Sequence, residues 1–245
     1  MEKYFQIINI RTLIVLLICL ITSFFVIHFG VRYDFDLTII SIAIIFPLVF
    51  TIRAAFRRRE KAIEHLSRFK GSMLIVHYCF QRNKKLDDEK KAYIRKTLLQ
   101  ISESLVSHLS IHSHDDNELK SNLDAVFQFV QGHKEEISTS EAFKIFRFLK
   151  DVHTAIGNVV AIDTHGTPIS LRAYCQVFIY FFPVIYTPAL LDRLDNSSAD
   201  WVVYTLSTIT GFILISLYNV QDQMENPFDQ QGLDDVRMAE FKFLG

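Results

Sequence analysis

The chain has 245 residues, half of them apolar, with 22 Phe against 8 Gly and a formal net charge of −1. Near-neutrality excludes a global basic field, so nucleic acid is not expected as a partner. The three cysteines, Cys19, Cys79 and Cys175, are far apart and form no metal or redox motif, so free thiols are expected.

Four apolar runs have the length of membrane spans: 13–29, 37–52, 173–191 and 201–220. Each has about 16 to 20 residues, near the roughly 20 that a helix needs to cross the hydrocarbon core. The second run is short and needs help from its flanks. A secretory leader is the alternative for the first run. A second span follows after a short loop and no small-residue cleavage site is evident, so the first run is read as a span.

Charge next to the runs sets the orientation. Arg53, Arg57, Arg58, Arg59 and Lys61 follow the second run, Lys3 and Arg11 precede the first, and Arg172 precedes the third. The loops on the other side hold Asp34, Asp36, Asp192, Asp195 and Asp200 against Arg32 and Arg193, a net −3. The positive-inside rule then places both termini and the middle region in the cytoplasm of a multi-pass cell-membrane protein. Tyr33, Tyr174 and Trp201 fall near span ends, where amphipathic aromatics settle.

Residues 53–172 read as helical and continuous with the spans. Phe56, Ile63, Leu66, Met73, Leu74 and His77 recur near a period of 3.6, as do Tyr93, Leu98, Ile101, Leu105, Val106 and Leu109. Ser138 and Glu141 fit a capping box that opens a further helix. Strand alternation and Asn-Gly hairpins are missing, so the expectation is one all-α membrane domain over 1–245. Its cytoplasmic helical region is 53–172, and a cytoplasmic turn and tail cover 221–245.

Chemical motifs are sparse. His108 and His112 lie four apart, with His114, Asp115 and Asp116 following, a spacing that puts two imidazoles on one helix face as in zinc sites. The helix ends there and no general base follows His108, so a polar helix end is the plainer reading. The arginines at 57–59 fit lipid headgroups, but the orientation rule already accounts for them. No Gly-rich phosphate loop and no ionisable pair within a span support an enzyme. Pro47 interrupts the second span, and Pro183 and Pro188 the third. Each removes a backbone hydrogen bond, tolerated in lipid where neighbouring protein or water satisfies the freed carbonyl.

The last span runs into "ENPF" at 225–228, with Asp234 six residues after Phe228. Pro227 biases Asn226 away from helix, so the span ends near it. "TPIS" at 167–170 precedes the third span, and Ile42, Phe46 and Phe50 stand four apart in the second. With four spans and a helical middle, these stretches resemble the bestrophin family of pentameric ion channels, and its bacterial members in particular. "ENPF" is similar to the family's signature after the last span, "TPIS" to its Thr-Pro-Ile-Pro stretch, and Arg58 to an arginine shortly after the neck. Asp229 stands where the family has Gly, Ser170 where it has Pro, and Arg59 and Glu60 where it has paired tryptophans.

The resemblance implies a homopentamer that passes monovalent ions passively, chloride chiefly, with cation conduction left open by the acidic outer loops. Ile42, Phe46 and Phe50 would form an apolar neck that gates by dewetting, and Ile169 the cytosolic aperture. On sequence alone the three-residue stripe also fits lipid contact or packing. Gln223, Asn226 and Asp234 match ligand positions of the calcium clasp of animal bestrophins. The remaining carboxylate position is the neutral Gln231, so a calcium requirement is not expected. The alternative for this turn is structural, with Asn226 capping it and Asp234 bonding a neighbouring helix or subunit. Membrane lipids and further copies of the chain are the expected partners. The second functional reading is a non-conducting scaffold or sensor that binds a cytoplasmic partner. An enzyme dependent on His112 or His114 is the third.

Overall fold

A computed structural model describes residues 7–111, 117–194, 199–230, 232 and 234–243. Among these residues there is no strand. Seven α-helices follow in order: α1 (Ile10–Phe29), α2 (Leu37–Arg82), α3 (Asp88–Ile111), α4 (Asn117–Gly132), α5 (Thr139–Thr164), α6 (Ile169–Arg193) and α7 (Asp200–Met224). A 3-10 turn covers Met238–Phe241. The helices divide into two compact units, Met1–Arg57 with Thr167–Glu225, and Arg58–Gly166 with Asn226–Gly245. The four expected spans fall on α1, the first part of α2, α6 and α7, all long and apolar enough to cross a membrane. The short second run is the opening of a 46-residue helix that continues past it, as the continuity of the pattern implied.

In the first unit α1 begins three residues before the apolar run. Asn9 caps it, accepting from the N–H groups of Arg11 (3.0 Å) and Thr12 (3.2 Å), while Thr12 Oγ1 accepts from Asn9 N–H. Gly30 ends it at φ +62°, a left-handed turn natural to glycine, and Val31 N–H closes back on Val26 C=O at 3.1 Å. α1 lies close against α7. A Cβ on Gly211 would sit 2.5 Å from Cys19 Sγ, so only glycine permits this approach. Val15, Cys19, Ile44, Leu48, Ile179 and Leu214 share the core of this unit.

Pro47 in the second span is accommodated as the sequence suggested. Pro47 leaves the carbonyl of Ala43 without its helical donor, and the Tyr174 hydroxyl from α6 donates to that oxygen at 3.3 Å. The Tyr33 hydroxyl donates to Ile185 C=O at 2.6 Å, within the segment of α6 that carries Pro183 and Pro188. Buried hydroxyls of Thr187 and Ser207 pair across α6 and α7 at 2.9 Å. Both cysteines of the apolar runs, Cys19 and Cys175, are buried free thiols, and Cys79 is a half-buried one.

Polar side chains knit the ends of α1, α6 and α7. Asp222 accepts from Arg11 (2.7 Å) and from Arg172 (2.6 Å), one carboxylate holding two guanidinium groups. Arg11 also lies 5.7 Å from the ring centre of Tyr218. Buried Asn219 donates to Ile7 C=O (2.8 Å) and Thr12 Oγ1 (2.9 Å). None of these bonds was foreseen from the sequence.

The core of the second unit combines Leu66, Phe69 and Met73 of α2 with Leu98 and Ile101 of α3, Val126 of α4 and Val152 of α5. Two members of the expected apolar stripes lie outside it. Phe56, which belongs to the first unit, is 46% exposed and Tyr93 51%, because the buried face passes through the adjacent residues, Ala55 and Ile94. Tyr93 instead stacks on Phe129 at 5.8 Å. The capping box at Ser138 and Glu141 is formed, with Glu141 N–H donating to Ser138 Oγ and Glu141 Oε2 accepting from Ser138 N–H (3.0 Å). The Ser138 hydroxyl, which donates to Glu141 Oε2 at 2.7 Å, and then the Ser138 N–H hold the Glu141 carboxyl below its usual range. α3 is described as far as Ile111, and His108 is buried on it. His112, His114, Asp115 and Asp116 lie outside the described residues.

The C-terminal segment belongs to this core rather than trailing from it. Phe228, Val236, Met238 and Phe243 are buried, Phe243 N–H donates to Ser102 Oγ at 2.9 Å, and the Phe243 ring meets His77 edge-on at 5.4 Å. Burial lowers the pKa of His77, with the charge of Arg95 adding to the effect.

Candidate functional site

The first part of α2 has one packed face and one open face. Ile44, Leu48, Thr51 and Ala55 are buried, while Ile42, Phe46 and Phe50 are 51%, 58% and 56% exposed. At about 100° per residue the three advance by about 40° per step, a slowly turning stripe opposite the packed face. The Phe46 and Phe50 rings lie 6.0 Å apart, so the stripe is continuous. Ile39, Ile45 and Val49 widen the exposed apolar face, which one chain leaves uncovered. The sequence placed Pro47 beside this stripe; the helix runs on through it.

Ile169 opens α6 and is 82% exposed, the highest exposure among the described large apolar residues. Pro168 precedes it at the N-cap with φ −50°, and no side chain caps the helix. The residues beside it explain how two of the sequence stretches are related. Thr167 N–H, of "TPIS", donates to Glu225 Oε1, of "ENPF", at 2.5 Å. Glu225 is only 3% exposed and also accepts from Gln221 Nε2 at 3.3 Å. A carboxylate facing backbone N–H at a helix start is well placed electrostatically. Glu225 thus ties the end of α7 to the start of α6. In the sequence only its place at the head of "ENPF", directly before Asn226, marks it.

Past Glu225, in the second unit, the chain makes a closed turn. Phe228 is fully buried and anchors it. Val236 N–H donates to Pro227 C=O at 2.9 Å, and Gln230, at φ +59°, donates its side-chain amide to Val236 C=O at 2.8 Å. The residues that cap the turn differ from the structural alternative drawn from sequence. Asp235, not Asn226, accepts the internal N–H, that of Gly232 at 2.9 Å, and Asn226 is exposed. Asp234 does bond a neighbouring helix, through its main-chain carbonyl, which accepts from Arg59 Nε of α2. Gln223 is half-buried at the end of α7, in the other unit, and Gln231 lies outside the described residues. Among the described residues no three His, Cys, Asp or Glu side chains gather as a metal site.

This is an all-α architecture with four membrane-length helices, the last of which ends in a tightly anchored Asn-Pro-Phe turn. It is the fold of bacterial bestrophin homologues. A variant structure of the homologue from Klebsiella pneumoniae superposes with a TM-score of 0.80 at 16% identity, over 98% of this chain and 94% of that one. A second variant of it gives 0.76 at 15% identity over 94% of both chains, and a third gives 0.74 at 14% over 98% and 95%. No family model and no curated protein sequence matches the chain. The resemblance read from "ENPF", "TPIS" and the span plan therefore holds at the level of fold.

Proposed function

We infer that the protein is a passive channel for monovalent ions, built from several copies of this chain. The observation that carries the reading is the exposed Ile42–Phe46–Phe50 stripe on a helix of a bestrophin-like fold. Copies arranged about a common axis cover that face and turn it into a constriction of apolar rings. Five copies follow from the family, with chloride the chief permeant ion and cations the less favoured choice. Ile169 forms the second constriction. The acidic loops give the outer mouth about −15 in a pentamer, which raises the local cation concentration. Native mass spectrometry of the solubilised protein is expected to give about five times 28.5 kDa; a conducting monomer or dimer would be incompatible with this architecture.

The chain is a cell-membrane protein with both termini and the second unit in the cytoplasm. Cys79 reports on that orientation, since Cys19 and Cys175 are buried. Burial pushes the Cys79 thiol up, so labelling is best done at mildly alkaline pH. An impermeant thiol reagent is expected to modify a Cys79-only variant in lysed cells alone. Labelling in intact cells would reverse the orientation.

Opening requires no calcium. Gln231 is neutral, and Arg59 brings a cation to the Asp234 end of the turn, where a hard dication needs six to eight oxygens. Chelation of calcium is expected to leave currents within about twofold of their starting value. Reversible activation by micromolar calcium that Asp234→Ala abolishes would show the turn to be a working clasp.

A scaffold that binds a cytoplasmic partner is the second reading. The exposed Phe127 of α4 and Phe143 of α5, beside grooves that share Phe146, favour it. Reconstituted ion flux separates the two readings.

A further inference from the structure

Arg53, Arg57, Arg58 and Arg59 follow directly after the stripe on α2, and two of these four are engaged by the fold. Arg58 donates to Ile162 C=O at 2.6 Å, and Arg59 donates to the main chain of Asp234. Arg53 and Arg57 are exposed and make no hydrogen bond or ion pair among the described residues. The positive-inside rule explains why cations gather at this end of a span. It does not explain which face they take.

The face is informative. Measured from Ile42 at about 100° per residue, Phe46 lies at about 40° and Phe50 at about 80°. Arg53 falls at about 20° and Arg57 at about 60°, both inside the arc of the stripe, whereas Arg58 and Arg59 point away at about 160° and 260°. Along the axis, Arg53 comes about 4.5 Å and Arg57 about 10 Å after Phe50. The first distance is within the roughly 8 Å screening length of physiological salt and the second a little beyond it. The next acids along the helix are Glu60 and Glu64, and Lys61 pairs with Glu64 at 2.6 Å. The cationic pair thus directly adjoins the apolar stripe.

We propose that Arg53 and Arg57 form two cationic rings at the inner end of the neck and select small anions such as chloride over cations. The proposal rests on the channel reading above and gives it a selectivity element. An ion leaving or entering the apolar neck is poorly hydrated, so a fixed charge at its end acts through a low-dielectric path. Asp34 and Asp36 lie just before the other end of α2 and are exposed, and the Asp36 carboxylate is already engaged by Thr38 N–H at 2.9 Å. Loop charge raises the number of cations nearby; the rings decide which ions complete the passage. Guanidinium groups suit this task because they remain charged at any physiological pH.

The test is the chloride-to-potassium permeability ratio of purified protein in planar bilayers under a KCl gradient. Wild type is expected to favour chloride. The Arg53→Gln/Arg57→Gln variant is expected to lower the ratio by about threefold or more while still conducting, and Arg53→Lys/Arg57→Lys to keep it. A Cys-free background carrying Arg53→Cys gives an independent readout that leaves Arg57 in place. A cationic methanethiosulfonate reagent should raise its chloride preference and an anionic one should lower it. A ratio unmoved by the Gln pair and by both reagents would overturn the rings while leaving the channel standing. So would a wild type that prefers potassium. Absence of current from wild-type protein of verified oligomeric state would overturn the channel reading, and the rings with it.

Discussion

Phe46→Ala is expected to carry about threefold or more macroscopic current than wild type in reconstituted bilayers. Phe46 is the centre of the exposed stripe, 58% open in the single chain and in ring contact with Phe50. In the proposed channel its copies, set around an axis, would form an apolar annulus in which an ion sheds hydration with no ligand to replace it. Alanine removes the rings, widens the passage and lets water wet it. Ile42→Ala and Phe50→Ala, one turn away on either side, should act in the same direction but less. Ile45→Ala is the control. It is also exposed but lies about 60° to the side of Ile42, off the stripe. If all four variants assemble and none alters conductance, open probability or selectivity, α2 does not line the pore.

Asp222→Ala is expected to lower the stability of the solubilised protein by about 2 to 3 kcal/mol and its Tm with it. The carboxylate holds Arg11 of α1 and Arg172 of α6 at once, and its side chain is only 27% exposed. Without it two half-buried guanidinium groups face each other with no counter-ion. Stability rather than chemistry is at stake, so a second substitution should relieve the damage. In the Asp222→Ala background, Arg11→Gln removes one of the stranded charges and should recover part of the lost Tm, a coupling that a double-mutant cycle reads directly. Independent, additive losses would show that the three charges do not act as a unit.

The two sets of residues behind these expectations were unequally legible in the sequence. Apolar runs locate spans because lipid demands roughly 20 apolar residues whatever the partners, and Ile42, Phe46 and Phe50 were visible as a spacing within one helix. The capping box at Ser138 was visible for the same reason, as its two residues are three apart. Contacts between distant segments carry no such local mark. Arg11, Arg172 and Asp222 come from three helices and read singly as flanking charge. Glu225 looked like an unremarked neighbour of the Asn-Pro-Phe turn, yet it is the residue that joins that turn's helix to Thr167. Phe56 and Tyr93 show the converse limit. A period of 3.6 finds an apolar stripe but not where along it the core begins.

The central claim is that this chain, on a bestrophin-like fold, conducts ions by itself. Current recorded from the purified protein in planar bilayers, with unequal KCl on the two sides, tests it most directly. The account predicts a steady passive current above that of protein-free membranes, reversing toward the chloride equilibrium potential and enlarged by Phe46→Ala. No current from intact, correctly assembled wild-type and Phe46→Ala protein would contradict it and leave the scaffold reading in its place.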